Sequence, residues 1–154
     1  MTVPVFVDTN LLVYARDAGE PAKQQRAMEV MRVLWAARSG RLSFQVLQEY
    51  YVTVTRKLRP GLPTRHARQD VEALLAWQPK PATGETFRVA WSIEDRFRLS
   101  WWDSLVVASA LEAEARLLLS EDLQDGLVID TLRVANPFRA SFDLDAIRAR
   151  PKKK

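Results

Sequence analysis

Four acidic residues far apart in the chain stand where apolar runs end or apolar helices begin: Asp8, Glu49, Asp103 and Asp122. Asp8 closes the run at residues 3–7, and Asp122 lies three residues past Leu119, the end of Leu117-Leu118-Leu119. In parallel α/β sheets the functional crevice lies at the carboxyl ends of the strands, so these two acids are expected at one edge. Asp103 opens an apolar helix, and Glu49 lies one turn into the helix after a second strand, a position from which it can point back to that edge. Two unit charges ~4 Å apart repel by about 4 kcal/mol at an effective dielectric of roughly 20, so gathered carboxylates protonate, splay or bind a cation. All-oxygen ligands select hard ions, Mg²⁺ or Mn²⁺. Such an ion can activate a water and offset charge on a phosphodiester in the transition state.

Each acid also has a local reading. Asp8 and Asp103 suit the N-caps of the helices that follow them. Glu49 reads equally as a solvated helix residue, and Asp122 and Asp125 flank a turn before Gly126 where Asx hydrogen bonding is favoured. Composition narrows the chemistry independently. The chain has no cysteine, which excludes disulfides, thiolate nucleophiles and Cys-ligated metal, and its one histidine, His66, excludes a multi-histidine metal site. His66 itself is assigned to the surface.

The positioning elements follow from hydrophobic patterning. The 154 residues are 47% hydrophobic and 27% charged, an ordinary balance for one globular domain. Residues 3–7 predict a buried strand and 11–16 a short helix. A helix begins at Pro21 and stops near Gly40, with Ala27, Val30, Met31 and Leu34 on one face. Residues 41–44 predict a second strand, followed by a helix through Val46, Leu47, Tyr50 and Val54 to about Leu58. Thr64 is expected to cap the next helix, another starts near Glu85, and residues 103–115 form a central helix, apolar nearly all round in its first half. Leu117-Leu118-Leu119, 127–129 and 132–134 are further strands. This alternation predicts an α/β domain, its sheet mainly parallel, of about four to five short strands flanked by helices.

The net charge is +4, but Arg148, Arg150, Lys152, Lys153 and Lys154 supply five positives at the end. Without them 18 basic residues face 19 acidic ones, so the basic character belongs to the tail. Residues 1–140 are therefore read as the domain and 141–154 as a basic tail, expected to be poorly ordered. No apolar run reaches the ~20 residues of a membrane span, and the protein is expected in the cytoplasm with no membrane partner.

Asp8-Thr9-Asn10 after the opening strand, Gln48-Glu49-Tyr50 in an early helix, Trp102-Asp103-Ser104-Leu105 and Ser120-Glu121-Asp122-Leu123-Gln124 together resemble the PIN-domain family. Within it they look like the VapC-type ribonuclease toxins of toxin–antitoxin pairs. Asn136-Pro137-Phe138 is similar to the end of one branch of that family. The resemblance spans residues 3 to about 138. It implies a Mg²⁺- or Mn²⁺-dependent endoribonuclease with an RNA substrate, neutralised by a cognate antitoxin and paired as a homodimer. The family's acids carry over to Asp8, Glu49, Asp103 and Asp122, with metal at Asp8, Asp103 and Asp122. Thr9 and Ser120 match small hydroxyl positions that orient the carboxylates, and Asn10 matches a polar position beside them. Asp125 aligns with no family acid and is read as a turn residue.

Arg56, Lys57 and Arg59, with Arg65 and Arg68, suit contact with an RNA backbone and equally a solvated helix end. Trp101 and Trp102 suit either base stacking or packing against the edge of the first strand. Met28, Met31, Leu34 and Trp35 form a stripe for the core or, in part, for an antitoxin helix. Three other readings stay beside the nuclease toxin: a PIN-fold RNA-processing nuclease without toxin role, a catalytically silent PIN-fold module that binds RNA or protein, and a haloacid-dehalogenase-like phosphatase. The last needs a second Asp where this chain has Asn10.

Overall fold

A computed structural model describes residues 3–148. In chain order the elements are β1 (Val5–Val7), α1 (Thr9–Tyr14), α2 (Pro21–Ala37), β2 (Gly40–Arg41), α3 (Phe44–Val52), α4 (Thr64–Leu74), α5 (Gly84–Phe97), α6 (Trp101–Glu112), β3 (Leu117–Leu119), β4 (Val128–Ile129) and β5 (Leu132–Ala135). A π-helical turn at Thr53–Lys57 prolongs α3, and 3₁₀ turns occupy Leu75–Trp77 and Leu144–Ile147. The sheet order is β2-β1-β3-β5-β4, parallel throughout except for the antiparallel β4/β5 pair. This is the expected α/β architecture with a mainly parallel sheet of five short strands. No described helix is long and apolar enough to cross a membrane.

Register brings the acids' strands into line. Val7 lies beside Leu119 and Leu119 beside Ala135, so Asp8, Ser120 and Asn136 leave the sheet side by side. The ladder continues one step past the strands, since the Asp8 amide donates to the Leu119 carbonyl at 3.0 Å and the Ser120 amide to the Ala135 carbonyl at 3.1 Å. All three side chains of β1 are buried, as are Leu118 and Leu119 in β3, because helices cover both faces. Each such side chain contributes roughly 1.5–3 kcal/mol of transfer free energy. Past its first turn α6 is buried nearly all round, with Ser104, Leu105, Val106, Val107, Ala108 and Ala110 inside. That helix carries Asp103 in its first turn.

Several boundaries differ from expectation for local reasons. The second strand is shorter and starts earlier than 41–44: the Ser43 side chain accepts from the Val46 amide, so Ser43 is the N-cap of α3 and Phe44 its first residue. Helix α2 stops near Gly40 as expected, but its left-handed C-cap is Arg38, at φ 54°, rather than the glycine. Gly40 serves packing instead, because a Cβ there would meet the Trp77 indole at 2.5 Å. Thr64 is the first residue of α4 rather than its cap, a place held by Pro63. Asp103 does not cap α6 either; the Ser100 hydroxyl does, accepting from the Asp103 amide at 3.1 Å. Order also continues past residue 140, since Ile147 is 3% exposed within the main core. The 3₁₀ turn at Leu144–Ile147 thus lies within the stretch read as tail, and residues 149–154 lie outside the described residues.

Candidate active site

At the end of β1, Asp8 is 6% exposed. One carboxylate oxygen accepts from the Thr9 amide at 2.8 Å and caps α1; the other accepts from the Ser120 hydroxyl at 2.7 Å. Burial pushes its carboxyl pKa up to about 6, the Ser120 and Thr9 bonds oppose the rise, and the charges of Asp122 and Glu49 add to it. The expected cap and the expected site acid are thus one residue.

Asn10 ties the two strand ends together. Its amide nitrogen faces the Asp122 carboxylate at 3.2 Å, the Ser120 hydroxyl at 3.4 Å and Asp8 at 3.5 Å. Its carbonyl oxygen accepts from the Glu121 amide at 3.3 Å, and the Asp122 amide donates to the Ser120 hydroxyl at 3.2 Å. Glu49, from α3, accepts from the Thr9 hydroxyl at 2.8 Å and from the Gln45 amide at 3.0 Å. Thr9, Asn10 and Ser120 therefore all contact the acids they were expected to accompany. Gln45 was missed, although its spacing four residues before Glu49 on one helix is the signal for such a pair.

Asp103 joins the set electrostatically. Burial raises its carboxyl pKa, a hydrogen bond to Ser100 opposes this, and Asp122 and Glu49 raise it further. Asp8 and Asp103 thus each sense the charges of both Asp122 and Glu49. Among the described residues no Lys, Arg or His forms an ion pair with any of the four. No three acidic or histidine side chains among the described residues converge tightly enough to cage an ion as placed. The donor chemistry nonetheless fits a hard divalent cation. Mg²⁺ binds through one or two carboxylates and keeps several waters, so it needs charge and oxygen at an edge rather than a closed protein cage.

Other expected residues lie apart from this constellation. Arg56, Lys57 and Arg59 are exposed at and beyond the π-helical turn, and none is in an ion pair among the described residues. Asp125 lies in the turn before Gly126 and accepts from the Asn136 amide at 2.9 Å, tying that turn to the end of β5. Trp101 packs edge-on against Phe87 of α5 at 5.3 Å rather than on the edge of β1, and Trp102 is 61% exposed. In the α2 stripe only Leu34 is buried. Met28, Met31 and Trp35 instead line an open groove of about 430 Å³ with Leu12, Arg16 and Asp70.

A mainly parallel α/β sheet of this order, with Asp8 and Asp103 both under the charges of Glu49 and Asp122, defines a class of protein. Residues 5–124 match the PIN domain model, and the chain belongs to the PIN domain family. No curated protein matches the sequence. Among solved structures the fold is similar to a toxin-antitoxin complex from Klebsiella pneumoniae, at 15% identity and TM-score 0.60, covering 86% of this chain and 97% of that one. It is similar also to VapC20 from Mycobacterium tuberculosis, a sarcin-ricin loop cleaving toxin, at 20% identity and TM-score 0.54, covering 74% and 86%. VapBC2 from Rickettsia felis, bound to a DNA fragment from its promoter, aligns at 14% identity and TM-score 0.55, covering 86% and 97%. At these identities the likeness is one of fold.

Proposed function

We propose that this PIN domain is a divalent-metal-dependent endoribonuclease that acts as the toxin of a toxin–antitoxin pair. One observation carries the reading: the charges of Glu49 and Asp122 both raise the proton affinity of Asp8 and of Asp103, and no basic side chain among the described residues forms an ion pair with any of the four. Asp8, Asp103 and Asp122 would hold Mg²⁺ or Mn²⁺, and Glu49 completes the acidic set. When bound, such an ion supplies an activated water and offsets charge on the scissile phosphodiester. The chain's own work is orientation. Ser120 and the Thr9 amide fix both oxygens of Asp8, Thr9 and Gln45 fix both oxygens of Glu49, and Asn10 draws Asp122 towards Asp8. Arg56, Lys57 and Arg59 are free to meet the RNA backbone. RNA as substrate is supported by the named activity of VapC20, and an antitoxin partner by the two toxin–antitoxin assemblies of the same fold.

The test is cleavage of structured RNA by the purified chain with Mg²⁺, Mn²⁺ or EDTA, beside Asp103→Asn. Metal-dependent cleavage is expected, lost in EDTA and reduced at least ~100-fold in the variant, with the metal-free melting temperature of the variant retained. Failure to cleave in either metal, with no thermal stabilisation by Mn²⁺, overturns the proposal and favours a silent binding module.

A further inference from the structure

Immediately before Asp122 stands Glu121, whose environment the acidic set does not explain. One of its carboxylate oxygens meets the Lys23 ammonium at 2.5 Å; the other is buried with no hydrogen-bond partner among the described residues. Lys23 comes from the first turn of α2, where a cation opposes the helix dipole and no acidic residue is present. Local helix chemistry therefore disfavours a lysine at that place. What holds it there is tertiary: the ammonium donates to the Tyr14 hydroxyl at 3.2 Å and lies 4.6 Å from the Tyr14 ring centre and 5.7 Å from that of Phe138. Tyr14 and Phe138 meet edge-on at 4.9 Å. The Asn136 side chain sets Phe138 by accepting from its amide at 2.9 Å, which gives Asn136-Pro137-Phe138 a physical task.

We propose that Lys23 is a positioning residue for the metal-binding edge: seated on the Tyr14–Phe138 pair, it holds Glu121 so that the Glu121 amide stays on Asn10 and Asp122 faces Asp8. The inference rests on the proposed metal-dependent function. Without Lys23 the half-buried Glu121 carboxylate loses its ion-pair partner, keeps only the Tyr14 hydroxyl beside it and turns towards water, drawing the backbone of 121–122 off Asn10. Electrostatics alone predicts the opposite outcome, because deleting a cation beside an acidic cluster strengthens its attraction for Mn²⁺. The two effects therefore have opposite signs.

The experiment titrates Mn²⁺ against thermal stability and RNA cleavage for the wild-type chain, Lys23→Met, Lys23→Arg, Glu121→Gln and the Lys23→Met/Glu121→Gln double variant. Lys23→Met is expected to raise the Mn²⁺ midpoint about tenfold and to lower kcat more than it raises KM. Lys23→Arg should restore most of the loss, and the double variant should lose no more metal affinity than either single change. The double variant contains no unpaired charge, which keeps the measurement readable if Lys23→Met is poorly stable. A lower melting temperature with an unchanged or lower Mn²⁺ midpoint overturns the positioning role while leaving the nuclease intact. A wild-type chain that neither binds Mn²⁺ nor cleaves RNA overturns both.

Discussion

Replacing Asp8 by Asn keeps the size of the side chain and one acceptor for the Thr9 amide but removes a charge that sits 6% exposed. The carboxyl pKa of Asp8 is raised from 3.8 to about 6, chiefly by burial. At ~1.4 kcal/mol per pKa unit, ionised Asp8 destabilises the metal-free fold by about 3 kcal/mol at neutral pH. Because the folded protein holds the proton more tightly than the unfolded chain, stability is highest below about pH 4 and falls as pH rises through about 6. The amide gives back roughly 1–2 kcal/mol, since it presents a donor where the Ser120 hydroxyl and the Asn10 amide now meet an oxygen. Asn remains a good N-cap, so the α1 terminus survives. The net expectation in EDTA at pH 7.5 is that Asp8→Asn is more stable by ~1–2 kcal/mol, a melting temperature about 2–8 °C higher. At pH 4 the advantage disappears. Mn²⁺ at 100 times its dissociation constant adds about 2.7 kcal/mol to wild type and much less to the variant. Calorimetry at the two pH values, with EDTA and with Mn²⁺, measures all four quantities. A variant less stable than wild type in EDTA, by an amount that does not change with pH, would refute the argument that Asp8 is held ionised against its own burial.

Two further outcomes are expected. Gly40→Ala forces the Trp77 ring from its seat on β2 and should cost about 1–3 kcal/mol in urea denaturation, with a change in Trp fluorescence; full stability would show that the indole relaxes freely. Changing Arg56, Lys57 and Arg59 together to Ala in an Asp103→Asn background should lower the salt slope of single-stranded RNA affinity by about 2, near 0.7 per lost contact. Fluorescence anisotropy over a salt series reads this, and an unchanged slope would leave the three as ordinary solvated charge.

The central sheet was legible because β1 and β3 are continuous apolar runs that end abruptly in polar residues, the mark of strands covered on both faces. That same abrupt ending pointed to Asp8 and Asp122 as edge residues, whereas Ser120 came only from the family resemblance. Caps were less legible. Ser100 and Asp103 both lie before the apolar part of α6, and only the hydrogen bond shows that Ser100 takes the cap and leaves Asp103 its carboxylate. Gly40 looked like a helix stop, whereas its neighbour Trp77 is brought to it by folding. Lys23 and Glu121 are 98 positions apart, and nothing local links them.

Both rims of the sheet are only two residues long, Gly40–Arg41 on one side and Val128–Ile129 on the other. So brief a border offers scarcely any free amides for a foreign strand to zip onto, which guards the fold against runaway β-stacking. Among the described residues the helical exterior instead presents side chains, such as Met28, Met31 and Trp35 around their groove, whose shape and identity rather than generic backbone pairing would select what docks.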